Sequence, residues 1–325
     1  MAVLVCGGAG YIGSHAVAEL LARGEEVVVV DNLQTGHKGA VLEGATLYVG
    51  DLRDTEFLST VFSENQITEV MHFAADSLVG VSVEKPLDYY DNNVYGALCL
   101  LKVMKHHDVN KIVFSSTAAT YGEPKRVPIE ETDDTTPTNP YGETKLAIEK
   151  MLKWSGIKHV VLRYFNVAGA HTEHDIGEDH DPETHLIPIV LQVALGQRDH
   201  ISIFGEDYDT HDGTCIRDYI HVVDLVSAHL LAIDRLRADR DSAVYNLGNG
   251  NGFTVKEVID CARKVTGKDI PAVVSPRRAG DPAKLVASSE KAMEELGWTP
   301  KYASLEDIIA SAWSWHQRHP HGYND

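Results

Sequence analysis

Residues 2–31, AVLVCGGAGYIGSHAVAELLARGEEVVVVD, leave few folds open to this chain. An aliphatic run meets spaced glycines, then a stretch of helical character begins at Tyr11, and a second aliphatic run ends on Asp31. Gly8, Gly10 and Gly13 fit G-x-G-x-x-G, while Gly7, Gly10 and Gly13 fit G-x-x-G-x-x-G. Glycine permits a tight turn and close approach of the backbone to a pyrophosphate. The N-terminus of the following helix adds free N–H groups and a partial positive charge. Asp31 lies 18 residues past Gly13. There its carboxylate would accept bonds from the adenosine ribose hydroxyls and repel the extra phosphate of NADP. The unit therefore predicts a strand–turn–helix–strand that binds NAD.

The same rhythm continues through TLYVGD (46–51), EVMHFAA (69–75), KIVFSST (111–117) and HVVLRYF (159–165). Several of these runs are apolar without alternation, as strands buried on both faces are. Helices are expected between them at Tyr11–Arg23, Thr55–Asn65 and Leu87–His107. The pattern predicts an α/β fold with a doubly wound parallel sheet of Rossmann type, its ligand at the carboxyl ends of the strands. After Asn166 the loops lengthen, and Gly, Pro, Asp and His become more frequent. The expected division is an NAD-binding domain over 1–166, with parts of about 217–250 packing back on it. A smaller, mainly substrate-binding lobe would cover 167–325.

Charge narrows the partners. The net charge of -19 over 325 residues disfavours nucleic acid or an anionic membrane as the main partner. The four cysteines are far apart, which suits reduced thiols and a cytoplasmic protein. No apolar run approaches the ~18 residues of a membrane span. The first residues lack the basic start of a signal peptide.

The segment NPYGETK (139–145) carries the candidate chemistry. Asn139 suits an N-cap and Pro140 a first helical residue. Tyr141 and Lys145 then share one helix face. Spacing alone would equally suit a solvent-facing pair at a helix start. A phenol titrates near ~10, but a neighbouring ammonium and a cationic nicotinamide ring would both lower it. Such a tyrosine could take a proton from a sugar hydroxyl while hydride leaves the same carbon. Thr117, at the end of FSST, would help to position that hydroxyl.

These motifs, with DNL (31–33), GDLRD (50–54), HFAA (72–75), KPLDYYDNNV (85–94), FSSTAATYG (114–122), LRYFNVAGAH (162–171), IGEDHDPETHLIP (176–188), IFGEDYDTHDGTCIRDYIHVVDL (203–225), YNLGNG (245–250) and PRRAGDPAKLVA (276–287), run in order along nearly the whole chain. Together they resemble the extended short-chain dehydrogenase/reductase family, and within it the nucleotide-sugar 4-epimerases. The resemblance implies reversible C4 epimerisation of UDP-galactose and UDP-glucose through a transient 4-keto sugar, with tightly bound NAD, in galactose metabolism. It implies a catalytic set of Tyr141, Lys145 and Thr117. It also implies NAD contacts from Gly7, Gly10, Tyr11, Ile12, Gly13, Asp31, Asn32, Leu33, Asp51, Leu52, Phe73, Ala74, Ala75, Asn92, Thr117, Tyr141, Lys145 and Phe165. The UDP-sugar would meet Thr117, Tyr141, Asn166, Leu186, Phe204, Arg217, Tyr219, Arg278 and Asp281. In that set the arginines would neutralise the diphosphate, Asp281 would bond a ribose and Phe204 would flank the uracil. A homodimer pairing through 87–107 and 141–154 is the corresponding expectation for assembly.

Some positions depart from the family pattern. Thr117 stands where many members have Ser, Ser77 where some have Lys, and Cys6 where Thr is common. Nucleotide-sugar 4,6-dehydratases of the same family carry Asp-Glu after the strand-five Thr, whereas Ala118 and Ala119 follow here. Leu285, of intermediate bulk, leaves open whether N-acetylated UDP-sugars are accepted. A non-catalytic NAD-binding protein would commonly lack the Tyr or Lys, and both are present. The segment HTEHDIGEDHDPETH (171–185) has four histidines but no compact HxxH or HExxH spacing. It reads as a polar loop, and no metal is expected.

Overall fold

A computed structural model describes residues 1–278 and 281–324. The first half builds six strands: β1 (Ala2–Cys6), β2 (Glu26–Asp31), β3 (Thr46–Val49), β4 (Ile67–His72), β5 (Lys111–Thr117) and β6 (Lys158–Tyr164). The second half adds β7 (Asn166–Ala168), β8 (Ile201–Phe204), β9 (Ile216–Arg217), β10 (Tyr219–His221) and β11 (Ala243–Leu247). The main sheet has seven strands in the order β11-β6-β5-β4-β1-β2-β3, every neighbouring pair parallel. The order reverses between β1 and β4. In an open α/β sheet that reversal opens a crevice at the carboxyl ends of the strands.

The aliphatic strands feed two layers because side chains alternate across a sheet. Val3 and Val5 pack with Ala16, Val17 and Leu20 of α1 (Tyr11–Ala22). Ala2, Leu4 and Cys6 face the other way, onto Leu58 and Val61 of α2 (Thr55–Glu64) and the helices beyond it. Two short helices follow, α3 (Val79–Glu84) and α4 (Pro86–Tyr89), and then α5 (Gly96–His106) and α6 (Pro140–Ser155). Leu100 of α5 and Leu152 of α6 are essentially buried in the second layer. Strand β11 joins the sheet beside β6 although the sequence separates them by 78 residues.

A third core gathers α7 (Leu186–Ala194), residues Val258, Ile259 and Ala262 of the helix at 255–266, and Leu305, Ile308 and Ile309 of the helix at 305–318. Around it lie small sheets: β7 pairs with β10, and β9 pairs with strands at 253–254 and 284–285. Among the described residues no helix is long and apolar enough to cross a membrane.

The expected single helix at 87–107 is interrupted. Residues Tyr90–Tyr95 form a π-helical segment between α4 and α5. Within it Asn93 is buried, accepting from the Asp76 N–H and donating to Asp76 O and Thr144 Oγ1. The wider turn lets Asn93 bridge three segments while Asn92 reaches the cleft. π-bulges recur at functional sites.

Candidate functional site

The crevice is a cavity of about 490 Å³ at the carboxyl ends of β1, β2, β4, β5 and β6. Its floor is the glycine turn. Gly7 has φ +80°, and a Cβ there would lie 2.6 Å from Ala74 N. A Cβ on Gly13 would sit 1.9 Å from Gly7 O, so helix and turn touch only because it is absent. Gly8 is packed against a side chain instead, that of Val29, which a Cβ would meet at 2.7 Å. Gly10 differs: its nearest neighbour to a Cβ is Gly7 O at 3.5 Å, ordinary contact. The protein itself leaves Gly10 room, and a close-lying phosphate would use it. No side chain caps α1 at Gly10, which leaves the helix N-terminus facing the cavity. Asp31, only 8% exposed, accepts from the N–H of Ala9 and of Leu33 at 2.9 Å each. One carboxylate thereby fixes the glycine turn and the β2 end, with lone pairs left toward the cavity. These features fit a bound dinucleotide.

The walls bring together most of the residues singled out in the sequence. Gly7, Gly10, Tyr11, Ile12, Gly13, Asp31, Asn32, Asp51, Leu52, Phe73, Ala74, Ala75, Asn92, Thr117, Tyr141, Lys145, Phe165, Asn166, Arg217 and Asp281 all line the cavity. The guanidinium of Arg53, bonded to Asp51, holds that carboxyl down at about 2. Gly8, Leu33, Leu186, Phe204, Tyr219 and Arg278 lie outside the lining. Leu33 stands at φ 57° beside Asp31. Tyr219 is buried on β10 opposite Asn166. Leu186 opens α7, and Phe204 ends β8 with the Arg278 guanidinium 4.0 Å over its ring.

The catalytic candidates converge by way of α6. Asn139 caps the helix by accepting from Gly142 N, and Pro140 starts it. Tyr141, Lys145 and Glu149 then form an i, i+4, i+8 stripe toward β5. Glu149 and Arg163 are an ion pair at 2.5 Å, both almost fully buried. Ser116 and Tyr121 extend the network, Ser116 donating to Glu149 and Arg163 donating to the Tyr121 hydroxyl. Helix and strand are thus locked in register next to the site. The Lys145 ammonium lies 6.0 Å from the Tyr141 ring centroid and donates to Ser115 O at 2.9 Å. Burial pulls Lys145 down to about 7, with Glu149 opposing. Burial pushes the Tyr141 phenol up to about 12, against a hydrogen bond from Thr117. The expected lowering of Tyr141 by the ammonium does not occur in this geometry. Desolvation of the phenol wins, because the ammonium is turned to a backbone carbonyl.

The chain matches the NAD dependent epimerase/dehydratase family over residues 3–248. It belongs to that family. It is 63% identical over 328 residues to the UDP-glucose 4-epimerase of Halalkalibacterium halodurans, covering 100% of this chain and 98% of that protein. A crystal structure of a UDP-glucose 4-epimerase superposes with a TM-score of 0.99 at 64% identity, covering 100% of both chains. The UDP-glucose 4-epimerase from Bifidobacterium longum, solved in complex with NAD+ and UDP, superposes with a TM-score of 0.94 at 44% identity. That match covers 99% of this chain and 100% of the other. The fold of the family member is therefore the Rossmann-type sheet expected from the sequence, and its cofactor is NAD.

Among the wall residues that escaped the sequence reading are Glu178, His180 and His185. They come from the segment read as a polar loop. With Glu183 they bring four potential metal-ligand atoms within 4.8 Å of one another. The available signal was E-x-H-x-x-E-x-H over 178–185, which matches no common metal-ligand spacing.

Proposed function

We propose that this family member is an isomerase that interconverts UDP-glucose and UDP-galactose at C4. The observation carrying the proposal is the placement of Thr117, Tyr141 and Lys145 together on the wall of the dinucleotide cavity. Tyr141 takes the C4 hydroxyl proton, and Thr117 orients that hydroxyl. Bound NAD supplies the acceptor and donor of the C4 hydride. Tyr141 would become a base near neutral pH only beside positive charge; the oxidised ring of the cofactor would supply it when bound, and Lys145 would add to it once its ammonium turned from Ser115 O toward the phenol. The 4-keto sugar then turns while its UDP stays anchored, and Tyr141 returns the proton. Ala118 and Ala119 line the same wall and offer no acid or base for dehydration.

Arg217 supports the anchoring role. Its guanidinium is largely buried, donates to Ile216 O and Pro282 O, and pairs with Asp281 at 3.2 Å. A diphosphate would meet a preset fork of donors there. Phe204 is assigned to the uracil, and Arg278, whose guanidinium stacks on its ring, to the adjoining diphosphate. Residues 1–166 with 217–250 are assigned to NAD and most of 167–325 to the nucleotide-sugar. Exposed Leu87, Tyr90, Tyr95 and Trp154, on the elements expected to pair, support a homodimer; the four unpaired cysteines support a reducing, cytoplasmic setting.

Turnover of UDP-galactose by the Tyr141→Phe variant tests the proposal. Loss of about 10²–10⁴-fold in turnover, with UDP affinity unchanged, is the expected result. Near-parental turnover would refute the role of Tyr141.

A further inference from the structure

The segment 176–185 crosses from the second half of the chain to the dinucleotide side of the cleft. Its first part is pinned on both sides of Glu178. Gly177 N donates to the Tyr323 hydroxyl at 3.0 Å, and Tyr323 N donates to Asp179 Oδ2 at 2.9 Å. A Cβ on Gly177 would meet the Trp315 ring at 2.3 Å, so the strap lies directly on that indole. His37, on the NAD-binding side, faces the Asp179 carboxylate at 3.4 Å.

From the pinned stretch and the residues just after it, four side chains bring their ligand atoms within 4.8 Å of one another. Glu178 Oε1 lies 2.8 Å from His185 Nδ1 and 3.4 Å from His180 Nδ1. Glu183 lies 3.5 Å from His180 Nδ1 through Oε2 and 3.3 Å from His185 Nδ1 through Oε1. Glu178 is only 4% exposed. Yet Glu178 Oε1, His180 Nδ1 and His185 Nδ1 are buried and form no hydrogen bond. Close contact without hydrogen-bond alignment means that the lone pairs aim at a shared centre rather than at each other. Two imidazolium groups could also neutralise the two carboxylates. Each Nδ1–H would then have to point at a carboxylate oxygen, and neither does.

Three of these four separations, 3.3–3.5 Å, match a metal, and the 2.8 Å pair would open by about half an ångström on binding. Zn²⁺ bonded at about 2.0–2.1 Å to N and O donors in a tetrahedron spaces those donors about 3.3 Å apart. Imidazole nitrogen with carboxylate oxygen suits first-row transition ions over Mg²⁺ or Ca²⁺, which take oxygen sets. Glu183 is already oriented, because its Oε1 accepts from the N–H groups of Thr184 and His185. Such supporting bonds are the usual surroundings of a metal-binding carboxylate. We propose that Glu178, His180, Glu183 and His185 form a four-donor site for a divalent first-row transition metal, Zn²⁺ being the best match. The ion would fasten the 176–185 strap beside the glycine turn and Tyr11. It would also neutralise two carboxylates at the edge of a cavity that receives an anionic pyrophosphate.

The test is metal binding to the full-length chain, read independently of catalysis. Protein stripped with a chelator and dialysed is titrated with Zn²⁺ against a competing chelator, and its melting temperature is followed. The expected result is one Zn²⁺ per chain and a melting temperature that rises with Zn²⁺. Replacing Zn²⁺ by Co²⁺ should give the strong visible absorption of a tetrahedral site. His185→Ala and Glu178→Gln should weaken binding by more than about 100-fold. His174→Ala, in the same loop but outside the four, should bind as the parent does. Failure of the parent to take up stoichiometric Zn²⁺, or parental binding by both site variants, would overturn the proposal.

Discussion

On the dinucleotide side of the cleft, Gly7, Gly10, Gly13 and Asp31 come from a single strand–helix–strand unit and offer mainly backbone. On the opposite side, Asn166, Arg217, Asp281 and Leu285 arrive from separate segments and offer side chains. The first wall tolerates little change because its atoms touch backbone to backbone, where no rotamer can yield. The second wall can be retuned residue by residue, because each contact is the far end of a side chain. Recognition of a common cofactor suits the first arrangement, and selection among sugars suits the second.

Gly13→Ala attacks the rigid wall directly. The added Cβ overlaps Gly7 O, so the cofactor-free chain should lose about 3 kcal/mol or more, measured by chemical denaturation. A loss under about 1 kcal/mol would show that the turn can relax, and the contrast between the walls would fail. Arg217→Gln attacks the other wall. It should weaken UDP binding by about 1.5–3 kcal/mol, the value of a charge-assisted hydrogen bond, read by calorimetry. NAD content should stay at the parental level.

Lys145→Met probes the cost of the catalytic pair. A buried lysine with its pKa near 7 instead of 10.5 folds with fewer protons than the unfolded chain binds between those values. The parent should therefore gain stability as pH rises from about 7 toward 10.5. The Met variant should be more stable than the parent below pH 7, and that advantage should fade as pH rises. A pH-independent difference between the two would break the assignment. The smallest effect expected on folding is that of Gly10→Ala, about 1 kcal/mol or less, through a poorer helix N-cap. Its NAD affinity should nevertheless fall by about tenfold or more, equivalent to 1.4 kcal/mol. Together the two glycine variants separate crowding within the protein from space kept for a ligand.

Much of this was legible beforehand for local reasons. Strands buried on both faces leave unbroken aliphatic runs, glycine spacing is dictated by a turn of a few residues, and Asn139-Pro140 announces its own helix. Tyr141 and Lys145 share a face by helical period alone. That Glu149 would be buried against Arg163, and so would fix α6 on the sheet, does not follow from the period. It depends on β6, which only the fold brings alongside.

The sequence by itself determined the strand–helix alternation, the glycine turn with Asp31, and the cap and first turn under Tyr141, because each is a short-range consequence of residue type and spacing. Tertiary structure decided what depends on distant partners. Asn93 turns the 90–95 segment into a π-helix because Asp76 and Thr144 are there to bond it. Ala243–Leu247 crosses back to complete the sheet because β6 offers an open edge. Glu178, His180, Glu183 and His185 converge because Trp315 and Tyr323 pin the strap at Gly177, across a sequence separation that no local pattern spans.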